Sequence, residues 1–205
     1  MTGESGELGK EPRMKYLFLR HAETEVSDRR EWHGKADPSL SPNGRMHALS
    51  AAEKLDSLGH KVNFIVASDY CRAVETAKVI GEVLNCSVRL DPLLRERYLG
   101  DWEGLTQSEI EQRWPGFIDA WRAGKICGPP GGETDAEVAK RIAHVLTESV
   151  RCGSKLQLVI SHAGLLRGLL SFHGMPNEEI PPLGGRWLNV MPSNRQIHIG
   201  EGASL

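Results

Sequence analysis

Residues 156–172, LQLVISHAGLLRGLLSF, hold the pattern that decides the fold. The first five residues, 156–160, are almost continuously apolar, which is typical of a parallel β-strand that is covered on both faces. The apolar residues at 165–172 instead favour a helix. We therefore predict a strand that leads into a helix, with Ser161 and His162 at the end of the strand.

The same alternation of strand and helix extends along the chain on both sides of this stretch. Short apolar runs are separated by segments that carry apolar residues at helical spacing. Alternating strands and helices are typical of an α/β protein with a parallel sheet. We predict further strands at 16–19, 64–67 and 88–90, and later, weaker strands at 187–190 and 196–199.

Three further helices are predicted from their starts and from their apolar residues. Ser41 is suited to cap a helix whose first residue is Pro42, and Gly59 is suited to end it. Thr134 and Glu137 have capping-box spacing, which predicts another helix start. The residues expected to face the core are Leu49, Ala52, Leu55 and Leu58 in the first helix, Ala73, Ala77, Ile80 and Leu84 in the second, and Val138, Ile142, Val145 and Leu146 in the third.

These elements predict an α/β fold, a three-layer α/β/α sandwich with a mainly parallel sheet. We expect a single domain over residues 14–205, preceded by a flexible tail at 1–13. Residues 92–133 interrupt the alternation of strands and helices and contain several tryptophans. We interpret this segment as a cap-like insertion over one face of the sheet, in which the tryptophans pack as a core.

The composition excludes several classes of protein. Of the 205 residues, 40% are hydrophobic and 25% are charged, as in a folded globular domain rather than a disordered chain. Lys and Arg number 25 against 27 Asp and Glu, so the basic excess of a general nucleic-acid binder is missing. No apolar stretch of about 20 residues is present to span a membrane. The four cysteines form no Cys-x-x-Cys pair, so we expect reduced thiols and a cytoplasmic protein.

Charged side chains follow the predicted parallel strands directly. Arg20 and His21 follow the first strand, and Arg72 lies about one helical turn beyond the second. Glu96 comes after the third strand, and His162 follows the fourth. Because the carboxyl ends of parallel strands share one edge of the sheet, we expect these five side chains to meet there.

This set of side chains suits the transfer of a phosphoryl group. Guanidinium groups match phosphate oxygens in geometry and charge, so two arginines can neutralise the group without a metal. A neutral imidazole is a nucleophile that can carry the phosphoryl group covalently. A carboxylic acid can protonate the leaving oxygen and then, as a carboxylate, activate water. The residues therefore predict phosphoryl transfer with no metal and no cofactor.

Six motifs, in order along the chain, resemble those of the histidine phosphatase superfamily, which is also described as phosphoglycerate-mutase-like. The resemblance runs from about Met14 to Pro192. Six ordered motifs are far more specific than the Arg-His pair alone. The motifs are LFLRHAETE at 17–25, ADPSLSPNGRMHA at 36–48, ASDYCRAVETA at 67–77, LLRERYLGDWEGLT at 93–106, PPGGET at 129–134 and VISHAGLLRGLL at 159–170.

The resemblance implies a role for each of the five side chains. His21 is expected to be the nucleophile that becomes phosphorylated, and Glu96 the proton donor and acceptor. Arg20, Arg72 and His162 are expected to bind the phosphoryl group. The positions expected to line the substrate are Ser27, His33, Gly34, Ala163 and Gly164.

Three positions differ from the residue that is usual in the family. Ala22 replaces the commoner Gly, Ser27 stands where many members have a phosphate-binding Asn, and His33 stands where a small Ser or Thr is usual. Ser27 and His33 are equally consistent with ordinary loop residues. Arg95 and Arg97 are weaker candidates for contact with a substrate carboxylate.

The resemblance implies a metal-independent phosphoric monoester hydrolase that acts on a small phosphorylated metabolite. The alternatives are a phosphoglycerate-type mutase and a non-catalytic relative that binds phosphorylated ligands. The run LGDWEGLT at 99–106 has the form seen in the phosphatase branch. Together with PPLGG at 181–185, it is similar to the glucosyl-3-phosphoglycerate, broad-specificity and α-ribazole phosphatases. A late edge strand is suited to pairing two subunits as a homodimer.

Overall fold

A six-stranded sheet forms the centre of the computed structural model, which describes residues 14–25, 32, 37–149, 156–191, 194 and 196–205. Its strands are β1 (Met14–Arg20), β2 (Phe64–Ala67), β3 (Ser87–Leu90), β4 (Leu156–Ser161), β5 (Gly184–Met191) and β6 (Gln196–Ser204). The spatial order is β3-β2-β4-β1-β5-β6. The first four strands are parallel to one another, and β5 and β6 add an antiparallel pair at one edge. The tail predicted at 1–13 lies outside the described residues.

The α-helices in the described part of the chain are α1 (Pro42–Ser57), α2 (Cys71–Leu84), α3 (Gln107–Arg113), α4 (Phe117–Arg122), α5 (Asp135–Ser149) and α6 (Ala163–Phe172). None of these described helices combines the length and the apolar character that crossing a membrane requires. The helices α1, α2, α5 and α6 begin and end within a few residues of the predicted positions.

Residues that alternate along β1 pack against different helices. Tyr16 and Phe18 belong to a core cluster with residues of α5 and α6. Leu17 and Leu19 belong to a second cluster with residues of α1 and α2. Because successive strand residues point to opposite faces of a sheet, helices cover both faces. The predicted three-layer sandwich with a mainly parallel sheet is confirmed.

Both helix starts predicted from capping residues are confirmed. The Gly44 amide donates to Ser41 Oγ at 2.9 Å, ahead of Pro42 in the first turn of α1. The Glu137 amide donates to Thr134 Oγ1 at 3.2 Å, while the Thr134 amide donates to Glu137 Oε2 at 2.8 Å. These reciprocal bonds satisfy amides that have no partner inside the helix, so they fix where α5 begins.

The apolar face predicted for α1 is wrong at two positions. Leu49 and Leu58 are 43% and 60% exposed. An α-helix has about 3.6 residues per turn, so four residues at a strict spacing of three spread over about half of its circumference. The buried face of α1 instead consists mainly of small residues, namely Gly44, Ala48, Ala51, Ala52 and Leu55.

The segment 92–133, predicted as an insertion, contains two short 3-10 helices, Pro92–Leu94 and Gly100–Trp102, followed by α3 and α4. The side chain of Trp102 is fully buried. Its ring meets those of Trp32 and Trp121 in edge-to-face contacts, with centroid distances of 5.5 and 5.6 Å. The tryptophans of this segment, Trp102, Trp114 and Trp121, form a small core, as predicted, together with Leu99, Leu105, Ile110 and Ile118. Trp32, from outside the segment, also packs against this core.

Candidate active site

The carboxyl ends of β1, β2 and β4 bring the histidines of the predicted site, His21 and His162, to one edge of the sheet. Arg20 lies opposite Ser161 in the β1–β4 ladder. The His21 amide donates to the Ser161 carbonyl at 2.8 Å, and the Ser68 amide donates to the carbonyl of Ile160 at 2.9 Å. The residues that leave these strands are therefore held side by side by main-chain hydrogen bonds.

The ring of His21 is neutral and has a defined tautomer. Its Nδ1 atom lies 2.7 Å from the carbonyl oxygen of Ala22, which can only accept a hydrogen bond. Its Nε2 atom lies 3.1 Å from Nε of Arg72, which can only donate. Burial, and then the charge of Arg72, lowers the pKa of His21 to about 3. The proton therefore resides on Nδ1, and the lone pair on Nε2 points toward the arginine.

His162 packs directly against His21. The two ring centroids are 5.3 Å apart in an edge-to-face arrangement. His162 Nε2 forms a hydrogen bond of 2.9 Å with Ser68 Oγ, and the ring of Tyr70 lies 5.5 Å away. Burial, followed by the charge of Arg72, holds the pKa of His162 well below its usual range. The site thus contains two buried imidazoles that stay neutral at physiological pH.

Two arginines bring positive charge to these rings. The side chain of Arg72 is 5% exposed, and its Nη1 atom lies 3.4 Å from a carboxylate oxygen of Asp37. Arg20 Nη1 donates to the carbonyl of Ile180 at 2.8 Å, while its buried Nε has no hydrogen-bond partner among the described residues. Burial lowers the pKa of both arginines, and the nearby Glu96 carboxylate opposes that shift. Both remain cations at neutral pH and interact electrostatically with the same carboxylate.

The Glu96 carboxylate rests on the first turn of α6. Its Oε2 accepts a hydrogen bond of 3.1 Å from the Gly164 amide, and its Oε1 accepts one of 2.7 Å from the Arg97 amide. A Cβ atom at position 164 would lie only 2.7 Å from Oε1, so a glycine is needed there for the carboxylate to sit this close.

The structure therefore brings together His21, His162, Arg20, Arg72 and Glu96, the five side chains expected to meet. Ala163 and Gly164, expected on the substrate side, form the first turn of α6 next to Glu96. The other substrate-lining candidates, Ser27, His33 and Gly34, lie outside the described residues.

The two weaker candidates, Arg97 and Arg95, both form ion pairs within the protein, and only Arg97 is buried. Arg97 is 1% exposed, forms an ion pair of 2.7 Å with Asp135 and stacks on Trp121, so contact with a substrate carboxylate is the wrong interpretation of this residue. The guanidinium of Arg95 donates two hydrogen bonds, of 2.8 and 2.6 Å, to the carboxylate of Asp69.

Sequence reasoning missed several residues at this site. Ser68 and Tyr70 contact His162. Their positions in the sequence, just before the predicted site residue Arg72, could have indicated them. Arg167 lies one turn beyond Ala163 on α6, and its Nε donates to the Ala163 carbonyl at 3.4 Å. Arg141, on α5, contacts the segment that carries Glu96, and no local pattern indicates a contact over 45 residues.

The family is established by comparison with known proteins. The model of the histidine phosphatase superfamily (branch 1) matches residues 16–190. This match covers most of the chain and includes all five side chains of the site. The chain therefore belongs to branch 1 of the histidine phosphatase superfamily.

Individual relatives indicate which activity within the superfamily this chain resembles. The glucosyl-3-phosphoglycerate phosphatase of Mycolicibacterium vanbaalenii is 36% identical over 178 residues, which span 82% of this chain and 78% of that protein. The solved structure of a mycobacterial glucosyl-3-phosphoglycerate phosphatase in complex with VO3 aligns with a TM-score of 0.78 at 29% identity, over 95% of this chain and all of that one. A 2,3-bisphosphoglycerate-dependent phosphoglycerate mutase of Bartonella henselae is 30% identical over 80% of this chain and 84% of its own length. Phosphatase activity, the hydrolysis of phosphate esters, is thus supported over the mutase alternative.

Proposed function

We propose that this protein is a metal-independent phosphatase that hydrolyses a small phosphomonoester through a phosphohistidine intermediate on His21. The observation that carries the proposal is the lone pair on His21 Nε2, which faces the guanidinium of Arg72 in a buried site. A neutral imidazole at this place can attack phosphorus, and the arginine is positioned to receive the phosphoryl oxygens.

In the first step, His21 Nε2 attacks phosphorus opposite the ester oxygen. The N–P bond forms as the P–O bond to the alcohol breaks. Glu96, as the carboxylic acid, gives its proton to the leaving oxygen, so the alcohol departs neutral. The hydrogen bond from Nδ1 to the carbonyl of Ala22 stabilises the positive charge that develops on the ring.

In the second step, a water molecule replaces the alcohol beside Glu96. The carboxylate accepts a proton from the water as its oxygen bonds to phosphorus, and the N–P bond breaks. Inorganic phosphate leaves, His21 regains its lone pair, and Glu96 is again the acid.

Positive charge replaces a metal in this proposal. Arg20 and Arg72 supply two cations that are pre-oriented by Ile180 and by His21 itself. Fixed donors aimed at a phosphoryl group account for most of the catalysis of its transfer. His162, held by Ser68 and packed against His21, places a second imidazole at the same site.

The leaving alcohol is proposed to belong to a sugar, a glycerate or a nucleoside-like compound. The named activity of the relatives, on glucosyl-3-phosphoglycerate, supports this class. Ala163 and Gly164 are proposed to line the substrate side together with Ser27, His33 and Gly34. The segment 92–133 is proposed to select the alcohol.

A panel of phosphorylated metabolites, scored by release of inorganic phosphate, tests the proposal. The protein should release phosphate in the presence of EDTA, and a large loss of activity on chelation would contradict it. With 3-phosphoglycerate, inorganic phosphate identifies a phosphatase, whereas 2-phosphoglycerate identifies a mutase.

The nucleophile has its own test. His21→Ala should abolish turnover and the acid-labile, alkali-stable phosphoryl label, whereas the exposed His144→Ala on α5 should retain both. Normal labelling of His21→Ala would refute the assignment.

The proposed location is the cytoplasm. Cys71, Cys86 and Cys127 are free thiols, which suits a reducing compartment. A fluorescent fusion of the full chain checks the location. A homodimer stays a prediction: β6 lies at one edge of the described sheet, and sedimentation velocity measures the oligomeric state.

A further inference from the structure

The segment that carries Glu96 is held by one arginine of α5. Arg141 Nη1 donates to the carbonyls of Leu93 and Arg95, at 2.6 and 2.7 Å. Its Nη2 lies 3.4 Å from the carbonyl of Glu96 itself. One guanidinium thus reaches three carbonyls within four consecutive residues. The planar guanidinium, with its several N–H donors, is well suited to such a contact.

Glu133 completes this arrangement on the other side of Glu96. Its carboxylate accepts two hydrogen bonds from Arg141, at 2.8 and 2.7 Å. The same carboxylate accepts the Tyr98 amide at 2.9 Å, and the Glu133 carbonyl accepts from Arg97 Nη2 at 2.7 Å. The main chain is therefore fixed before, at and after Glu96.

Partial burial strengthens the pair formed by Arg141 and Glu133. The side chains of Arg141 and Glu133 are 14% and 25% exposed, so solvent screens them less than a surface pair. Hydrogen bonds that involve ionised groups are shorter and stronger than neutral ones. Arg141 projects from a helix whose start is fixed by a capping box, which gives the arrangement a rigid base.

We propose that Arg141 and Glu133 are positioning residues that set the place of the Glu96 carboxylate for proton transfer. This inference rests on the proposed role of Glu96 as the acid and base. The carboxylate itself is bonded to the amides of Arg97 and Gly164, so its position depends on the main chain of its own segment. A displacement of about 1 Å is enough to lower a catalytic rate by a large factor.

The test compares two leaving groups. Proton donation matters for an alkyl phosphate and matters little for p-nitrophenyl phosphate, whose leaving group departs as a stable anion. Arg141→Lys keeps the charge but cannot reach three carbonyls at once. Arg141→Lys should lower kcat for the alkyl ester by about 10-fold to 100-fold, which is within the rate enhancement that a general acid contributes. It should change the rate of p-nitrophenyl phosphate hydrolysis by less than about 3-fold. Glu133→Gln should show the same selectivity.

A double variant separates positioning from general support of the fold. In a Glu96→Gln background, Arg141→Lys should cause no further loss of kcat for the alkyl ester, because the group it positions is already gone. Arg45→Gln is the matched control, since Arg45 forms a 2.8 Å ion pair with Glu75 between α1 and α2. It should leave both substrates unchanged. Thermal unfolding shows that each variant is folded at the assay temperature.

Three results would overturn the proposal. Equal losses on both substrates, or losses that add fully to that of Glu96→Gln, would give Arg141 a general structural role. If Glu96→Gln itself shows no preference between leaving groups, the acid assignment fails and this inference fails with it. Failure of the proposed function as a whole is recognised separately, because the unmodified protein would then hydrolyse neither ester.

Discussion

Arg72 donates a hydrogen bond of 3.1 Å from its Nε to the Nε2 atom of His21. The arginine thus occupies the lone pair that the proposed mechanism uses for attack. The charged oxygens of a phosphoryl group are better hydrogen-bond acceptors than an imidazole nitrogen. When a phosphoryl group enters the site, we therefore expect the guanidinium of Arg72 to bind these oxygens instead of His21. Substrate binding is therefore expected to release Nε2 at the moment when phosphorus arrives next to it.

The tautomer of His21 gives a first prediction. Nitrogen NMR of the free protein near neutral pH should show Nδ1 protonated and Nε2 unprotonated, because Ala22 accepts from one atom and Arg72 donates to the other. The signals are assigned by their loss in His21→Asn. A protonated Nε2 in the free protein would contradict the assignment of that atom as the nucleophile.

The buried histidines also predict how stability depends on pH. Burial, and then Arg72, lowers the pKa of His21 to about 3 in the folded protein, whereas the unfolded chain protonates near pH 6.5. Between these values the unfolded state binds more protons. The free energy of unfolding should therefore fall as pH drops from about 6.5 toward 3, by up to about 1.4 kcal/mol per pH unit from this side chain. The lowered pKa of His162 acts in the same direction.

Urea unfolding over pH from about 7.5 to about 4.5 measures this dependence. His21→Asn should reduce the slope, since Asn does not titrate. His144→Asn, at an exposed position on α5, serves as the matched control and should keep the slope of the unmodified protein. An unchanged slope in His21→Asn would show that this histidine is not buried in its neutral form.

The close approach of Gly164 to Glu96 gives a third prediction. In Gly164→Ala the new methyl group would lie 2.7 Å from Glu96 Oε1, the end of a flexible side chain, so the carboxylate should move rather than the backbone. We expect kcat for an alkyl phosphate to fall by about 10-fold or more, with little change in stability.

Gly168→Ala, one turn along α6, is the matched control for Gly164→Ala. Its methyl group would meet Val138 Cγ1 at 2.9 Å, in the packing between α5 and α6. This variant should lower the unfolding temperature while kcat is retained. The reverse pattern in the two variants would show that the Gly164–Glu96 contact does not place the carboxylate.

Most of the fold was predictable because its signals are local. The apolar runs of β1, β2 and β4 and the caps at Ser41 and Thr134 need only neighbouring residues to be recognised. The meeting of His21 with His162 followed from one rule, that parallel strands share their carboxyl edge. The core face of α1 was mispredicted at Leu49 and Leu58, because residues at a strict spacing of three spread over about half of the helix circumference.

The contacts that hold the main chain around Glu96 could not be predicted, because they join residues that are far apart in the sequence. Arg141 and Glu133 act through main-chain groups at 93–98, and a main-chain carbonyl carries no signature in the sequence. Arg97 shows the same limit, because its neighbour Glu96 faces the catalytic edge whereas its own side chain is buried against Trp121. Adjacent charged residues thus have unrelated roles that only the packing distinguishes.

The buried Arg97 gives the last prediction, which concerns stability. Its Nη2 atom lies 2.7 Å from Asp135 Oδ1, as an ion pair rather than an aligned hydrogen bond, and both side chains are largely buried. Asp135→Asn would leave the buried Arg97 cation without its counter-charge. We expect the free energy of unfolding to fall by about 3 kcal/mol, the low end for buried pairs. The loss is at the low end because Arg97 keeps its hydrogen bonds to the carbonyls of Cys127 and Glu133. Asp69→Asn breaks the more exposed pair with Arg95 and should cost less than about 1 kcal/mol. Urea unfolding near neutral pH measures both variants, and equal costs would mean that burial does not set the strength of the Arg97–Asp135 pair.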